Sequence, residues 1–266
     1  MGLEPMEAAV PLGRLDPLTR GVLFHEIQKR VFQALDGYPA EGAALRLSLE
    51  VLDRILRETS AEYAERLAPA IPQIWHNEVE RLRADLRGWL ASVASDESSW
   101  VPSEVERKFD AVIVAEQWKL RGRMDLIERS TEGAIRITDY KTGSFPDPAP
   151  QSTGGGEVLQ PTLYALAAEQ LFPGTSIAGG RLFYATMRGG YRTVDVPLND
   201  QTRAETDRVL STIEDAVQTG RFPAAPREGA CAYCDYLAVC GPYEEERVQR
   251  KPQTELESLF QIRRVK

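Results

Sequence analysis

Two short segments carry the side chains best suited to chemistry, Gly122-Arg123-Met124-Asp125 and Ile137-Thr138-Asp139-Tyr140-Lys141. Both aspartates are bracketed by apolar positions, and a hairpin turning at Glu132-Gly133 would set Asp125 opposite Asp139. Lys141, two residues beyond Asp139, then points to the same face of its strand. Directly opposed side chains approach to roughly 4.5–5.5 Å at Cβ, where like charges repel unless something compensates. A divalent cation compensates. Hard carboxylate oxygens suit Mg2+ or Mn2+, which polarises a phosphate and lowers the pKa of bound water, and an ammonium group stabilises the charge that builds on phosphorus or orients the attacking water. The chemistry indicated is hydrolysis of a phosphodiester. A bare Asp-x-Lys pattern also describes an exposed strand with a surface ion pair. The second aspartate in register separates the two readings, and a one-residue slip would undo it by turning a whole strand over.

The elements needed to hold these residues follow from the periodicity. Asp16-Pro17 is an N-cap followed by proline at the first helical position, and Leu18, Val22, Leu23, Val31, Phe32 and Leu35 recur at helical spacing up to Asp36-Gly37. Residues 41–57 and 61–95 read as further helix, the second interrupted by Pro69 and Pro72. Near residue 101 the period changes to β-branched and alternating runs, Val112-Ile113-Val114, Met124 to Ile127 and Ile135 to Thr138, which suit an antiparallel meander. A glycine- and proline-rich loop over 143–156 precedes a helix over Glu157 to Leu171, strands over 178–187 and 191–196, and a helix over 200–219. The fold class expected is mixed α/β (α+β), with a helical part over 1–100, a core over 101–222 and a cysteine-containing segment over 223–266, together one continuous domain.

The chain has 266 residues, 42% hydrophobic and 27% charged, which is globular composition. A formal net charge of −8 excludes a chain-wide basic coat for nucleic acid but not a local basic groove. No long apolar run and no signal-peptide pattern occur, so no membrane association and a cytoplasmic location are expected. No G-x-x-x-x-G-K-[ST] motif is present, so ATP-driven translocation would have to come from a partner or from other sequence. The 3 cysteines all fall between Cys231 and Cys240, a pattern for a metal or cluster site short of one ligand rather than for disulfides.

At Gly122 to Asp125 and Asp139-Tyr140-Lys141 the sequence resembles the PD-(D/E)XK nuclease superfamily, within it the RecB-like branch that includes the nuclease domains of AddAB-type helicase–nucleases. Gly21-Val22-Leu23-Phe24-His25-Glu26 resembles that branch's helix histidine motif, and Gln160-Pro161-Thr162-Leu163-Tyr164 its Q-x-x-x-Y motif, in family order. The resemblance covers about residues 14–243 and implies a restriction-endonuclease-like mixed sheet flanked by helices. It implies His25, Asp125 and Asp139 as metal ligands with the Tyr140 carbonyl as a further one, Lys141 as the catalytic lysine, and Gln160 and Tyr164 beside the site holding DNA or the lysine. Glu104 and Glu106 sit on the first strand, where they either add charge near the metal or form a solvated face.

Cys231-Ala232-Tyr233-Cys234 followed by Cys240 resembles the C-terminal part of the iron–sulfur staple of cluster-bearing members. Their fourth cysteine lies upstream of the histidine motif, so the resemblance implies an N-terminally truncated chain, with a [4Fe–4S] cluster in the longer form. For this chain three states stay open: a labile cluster or zinc, free thiols, or an intact cluster. Lys119, Arg121 and Arg123 on one side, and Arg181, Arg188 and Arg192 on the other, with Tyr184 and Tyr191 for stacking, would meet DNA ends or single strands. The expected activity is metal-dependent, exonuclease-type DNA end processing in double-strand break repair alongside an ATP-dependent helicase. The competing expectations are a catalytically idle DNA-binding or scaffolding domain, and a restriction-like or mobile-element nuclease.

Overall fold

Asp16 closes the first helix, α1 (Pro17–Ala34): its carboxylate accepts the Thr19 backbone N–H at 2.9 Å, and Pro17 fills the first turn, where no N–H partner is needed. The computed structural model describes residues 15–35, 37–38, 42–69, 71–96, 98–115, 117–150 and 152–264. Asp36, residue 41 and the segment Met1 to Pro5 lie outside the described residues, so the break expected at Asp36-Gly37 and the truncated start are not placed. The apolar spacing of α1 overstates its buried stripe, which begins at Leu23 and continues through Phe24, Ile27, Val31 and Phe32, while Leu18 and Val22 are exposed.

Helix α2 (Ala43–Leu67) runs unbroken through 57–61, where two helices were expected. The interruption comes only at Ala68, in the left-handed region, and Pro72 then opens α3 (Pro72–Ala94). The three helices form one layer around Leu52, Leu56, Leu82, Leu86 and Trp89, and this core continues onto the sheet through Leu126, Tyr140 and Phe183.

The sheet has five strands in the order β1-β2-β3-β4-β5, namely β1 (Trp100–Val114), β2 (Trp118–Ser130), β3 (Ile135–Lys141), β4 (Ile177–Tyr184) and β5 (Arg192–Pro197). The short run expected at Val112–Val114 is the end of one long strand, bulged between Pro102 and Glu104 and between Phe109 and Val112. Strands β1 to β3 form the expected antiparallel meander. Between β2 and β3 the ladder runs from Arg129 opposite Ile135 to Leu126 opposite Thr138, one step short of Asp125 and Asp139. Those two aspartates therefore share the face that carries Ile127 and Ile137. Strand β4 lies parallel to β3, reached through the crossover helix α4 (Gln160–Leu171), and β5 returns antiparallel. This mixed sheet between helical layers is the restriction-endonuclease-like architecture that the sequence implied.

Helix α4 starts at Gln160 rather than Glu157, because Gly154–Gly156 form a 3-10 turn and Pro161 sits in the first helical turn. It packs on the sheet face opposite to α1–α3, through Leu166, Ala167 and Ala168 against Ile127, Ile135 and Ile137. Gly180 on β4 makes this close approach possible, since a Cβ there would stand 2.5 Å from the Pro161 carbonyl oxygen. Gly180→Ala is expected to cost about 1–3 kcal/mol by overpacking and to push Gln160 off its place in the site. Thermal unfolding at the wild-type midpoint would contradict this close-packing role.

Beyond the sheet, α5 (Asp200–Thr219) begins with a reciprocal Asn199–Thr202 capping box and ends at Gly220 in the left-handed region. The tail holds α6 (Leu237–Cys240), α7 (Glu244–Val248) and α8 (Gln253–Arg263) over a small core of Ala225, Val248 and Leu256. Among the described residues, no helix is long and apolar enough to cross a membrane.

Candidate active site

Three elements converge on the carboxylates: α1 brings His25, the middle of β1 brings Glu106, and β2 brings Asp125, with ligand atoms all within 4.8 Å of one another. His25 Nδ1 stands 3.6 Å from Asp125 Oδ2. Of the two roles the sequence allows Glu106, charge near the metal or a solvated face, the structure places it in the cluster. Its φ of 55° is a left-handed conformation rare for a residue with a side chain, set within the β1–β2 ladder across from Asp125. Glu106 Oε2 lies 2.6 Å from Arg123 Nε.

Asp125 Oδ2 also accepts the Tyr140 backbone N–H at 2.9 Å, which locks β2 to β3 where their regular ladder ends. The Tyr140 ring points the other way, buried edge-on against Trp89 among the N-terminal helices, so this residue serves the site through its backbone. Asp139, 4% exposed, stands beside the His25–Glu106–Asp125 triplet rather than within it, because its Oδ2 is drawn to Lys141 Nζ at 2.6 Å. Lys141 Nζ in turn donates to Gln160 Oε1 at 2.8 Å. Tyr164, one turn further along α4, packs edge-on against Phe109, and its hydroxyl lies over Gly122. Gln160 and Tyr164 thus touch the two motif-bearing strands at different points.

The electrostatics fit a site built for a cation. Burial raises the Asp125 carboxyl above the usual range, against the pull of the Tyr140 N–H, Lys141 and Arg123. Burial, followed by the neighbouring Asp125 charge, pushes Asp139 up to about 6, against Lys141. Glu106 is likewise raised, chiefly by burial. Burial lowers His25, outweighing the acidic neighbours Asp139 and Glu106, and so favours the neutral imidazole that a metal needs. One imidazole nitrogen and crowded carboxylate oxygens form a donor set suited to Mn2+ or Mg2+, and a bound cation would relieve the repulsion that raises the carboxyl groups.

The residues expected to meet DNA divide. Arg121 and Arg123 line an open groove with Lys108, Phe109, Asp110 and Gly122. Arg188 and Arg192 are exposed; Arg188 donates to Ser144 Oγ at 2.9 Å, and the Arg192 guanidinium lies 3.6 Å from the Phe145 ring centroid. Arg181 does not reach solvent. At 4% exposure it is directed to the N-terminal helix side of the sheet, donating to Glu128 at 3.1 and 3.2 Å and to Thr138 Oγ1 at 3.0 Å. Glu128, 0% exposed, needs that charge, and this need removes Arg181 from any DNA surface. Tyr191 is also committed, because its hydroxyl occupies the space that a Cβ on Gly88 of α3 would take.

Cys231, Cys234 and Cys240 are free thiols, Cys234 exposed and the other two partly so. Glu245 caps this loop, accepting the Gly229 and Cys231 backbone N–H groups at 2.9 Å each, and the Cys231 thiol is raised, which disfavours the thiolate. Three thiols supply one ligand fewer than the four a four-iron cluster takes.

A mixed five-stranded sheet with acidic residues and a lysine on its central strands defines a nuclease-type centre. The family model of the PD-(D/E)XK nuclease superfamily matches residues 2–241, and the chain belongs to that superfamily. Its members are usually metal-dependent nucleases. A comparison with curated proteins finds no match.

Proposed function

We propose that this chain is a metal-dependent deoxyribonuclease of the RecB-like branch, trimming DNA ends or single strands in double-strand break repair beside an ATP-dependent helicase. The observation that carries the hydrolytic reading is the convergence of His25, Glu106 and Asp125 next to a lysine held between Asp139 Oδ2 and Gln160 Oε1. His25, Glu106, Asp125 and Asp139 would hold the ion. When bound, Mg2+ or Mn2+ supplies Lewis-acid polarisation of the scissile phosphate.

The chain's own residues do the rest. Lys141 presents a fixed ammonium to the charge that develops on the phosphoryl oxygens, and fixed charge stabilises a transition state without reorganising during the reaction. Gln160 accepts one ammonium hydrogen and Asp139 draws the same group inward, so its position is set before substrate arrives. The Tyr140 N–H holds Asp125 in line with the other ligands.

Degradation of labelled single-stranded DNA is expected to stop in EDTA and to return on adding Mn2+ or Mg2+. Cleavage that persists in EDTA would contradict the metal reading. DNA binding without cleavage in either metal would favour the scaffolding role.

A further inference from the structure

A row of side chains crosses the catalytic face of the sheet away from the metal ligands. Lys141 on β3 is paired with Tyr184 on β4, and Tyr184 with Arg192 on β5, so the three share a face. With strands spaced about 4.7–4.9 Å apart, Arg192 stands roughly 10 Å from Lys141 along this row. Phe145, from the loop after β3, lies across it, with its ring centroid 5.0 Å from that of Tyr184 and 3.6 Å from the Arg192 guanidinium. The ring covers one side of the guanidinium plane, and the exposure of Arg192 leaves the other to solvent.

Arg188 at the next turn tethers the same loop through Ser144. Among the described residues neither arginine pairs with a carboxylate, in contrast to Arg123, which is bound to Glu106. Two unneutralised guanidinium groups beside the reacting centre of a chain with net charge −8 are a local attraction for a polyanion. A flat cation already stacked on a ring also offers a plane for a second aromatic. In a duplex both faces of a base are covered by stacking, whereas an unpaired base has a face free.

We propose that Arg192 stacked on Phe145, flanked by Tyr184 and Arg188, is a subsite for an unpaired nucleotide adjacent to the scissile phosphate. The base lies on the outer face of Arg192, and Arg188 takes a neighbouring phosphate. This inference rests on the nuclease reading of the same site, and it makes base stacking, rather than charge alone, the ground for preferring single strands.

The test is fluorescence anisotropy of the full chain in EDTA, with a labelled oligothymidylate and an abasic oligonucleotide of equal length. Wild type is expected to favour the base-bearing strand by roughly 5- to 150-fold, the span of one stacked base. Arg192→Lys keeps the charge but loses the plane, and its preference should fall towards one, as should that of Phe145→Leu. Equal binding of both strands by wild type, or an undiminished preference in Arg192→Lys, would overturn the subsite. Cleavage assays in Mn2+ separate the two readings. Cleavage without base preference overturns the subsite alone, and base preference without cleavage overturns the hydrolytic reading while sustaining the subsite.

Discussion

Glu128→Ala is expected to destabilise the protein by about 3–5 kcal/mol, the usual cost of removing one partner from a buried charge network. Glu128 is fully buried behind the catalytic strand and is held by Arg136 at 3.0 and 3.1 Å, by Arg181, by the Tyr38 hydroxyl at 2.9 Å and by the Thr138 hydroxyl. Two guanidinium groups would lose their common counter-charge. Among the described residues, Asp96 and Asp195 at the rim remain, at 3.7 and 3.8 Å from Arg181 and Arg136. For a chain of this size the loss corresponds to a fall in Tm of roughly 6–20 °C.

The pH dependence has a definite sign. Burial alone would raise the Glu128 carboxyl, and Arg181 with Arg136 more than reverses this, so the folded-state value is lowered. Its stabilisation is fully present above the unfolded-chain value of 4.5 and is lost as pH falls through the folded one. Calorimetric unfolding at neutral pH is the check, and a fall in stability below about 1 kcal/mol, an ordinary surface effect, would mean the network contributes little.

Asp139→Asn is expected to act in the opposite direction. Burial and the Asp125 charge push the Asp139 carboxyl up to about 6 from 3.8, so the folded state binds its proton more tightly than the unfolded chain. Stability of the metal-free protein therefore declines from this group as pH rises from about 4 to 6, and the full cost is carried at pH 7. Asparagine removes that charge. At neutral pH without metal the variant should be more stable than wild type, by about 1–2 kcal/mol. Added Mn2+ should raise the Tm of wild type and do less for the variant, since binding to the folded state stabilises in proportion to affinity. A metal-free variant less stable than wild type at pH 7 would show that the bond to Lys141 outweighs carboxylate repulsion.

These two expectations concern opposite faces of one sheet, at Glu128 on β2 and Asp139 on β3, and the faces were unequally legible in sequence. The alternation of β3 and the Glu132-Gly133 turn fix which residues of β2 and β3 share a face, so the Asp125/Asp139 arrangement follows from short-range patterning. The start of α1 is local for the same reason, written in Asp16-Pro17. Arg181 is different. Its partner Glu128 lies on a strand two positions away, and no local spacing announces the pair. A signal did exist, because Arg181 stands at the head of Leu182-Phe183-Tyr184 in a strand buried on both faces, where a lone charge requires a partner.

Glu106 was ambiguous for a backbone reason. Its place opposite Asp125 depends on the β1–β2 register, which no local spacing in β1 announces, and its positive φ marks an irregular backbone at that point. Tyr191 likewise lies against Gly88, a contact between elements far apart in sequence. Position within an element was readable, whereas burial imposed by a distant element was not.

The proposed activity is DNA hydrolysis with a divalent ion held by the carboxylates around His25 and Lys141. Asp139→Asn suits its test because the variant is expected to be folded and more stable, so lost activity cannot be assigned to unfolding. The measurement is the single-turnover rate of degradation of labelled single-stranded DNA in Mn2+ by wild type and Asp139→Asn side by side. Measurable degradation by wild type and a rate at least ~100-fold lower in the variant is the expected result. Equal rates, or no degradation by folded wild type in either Mn2+ or Mg2+, would contradict the account.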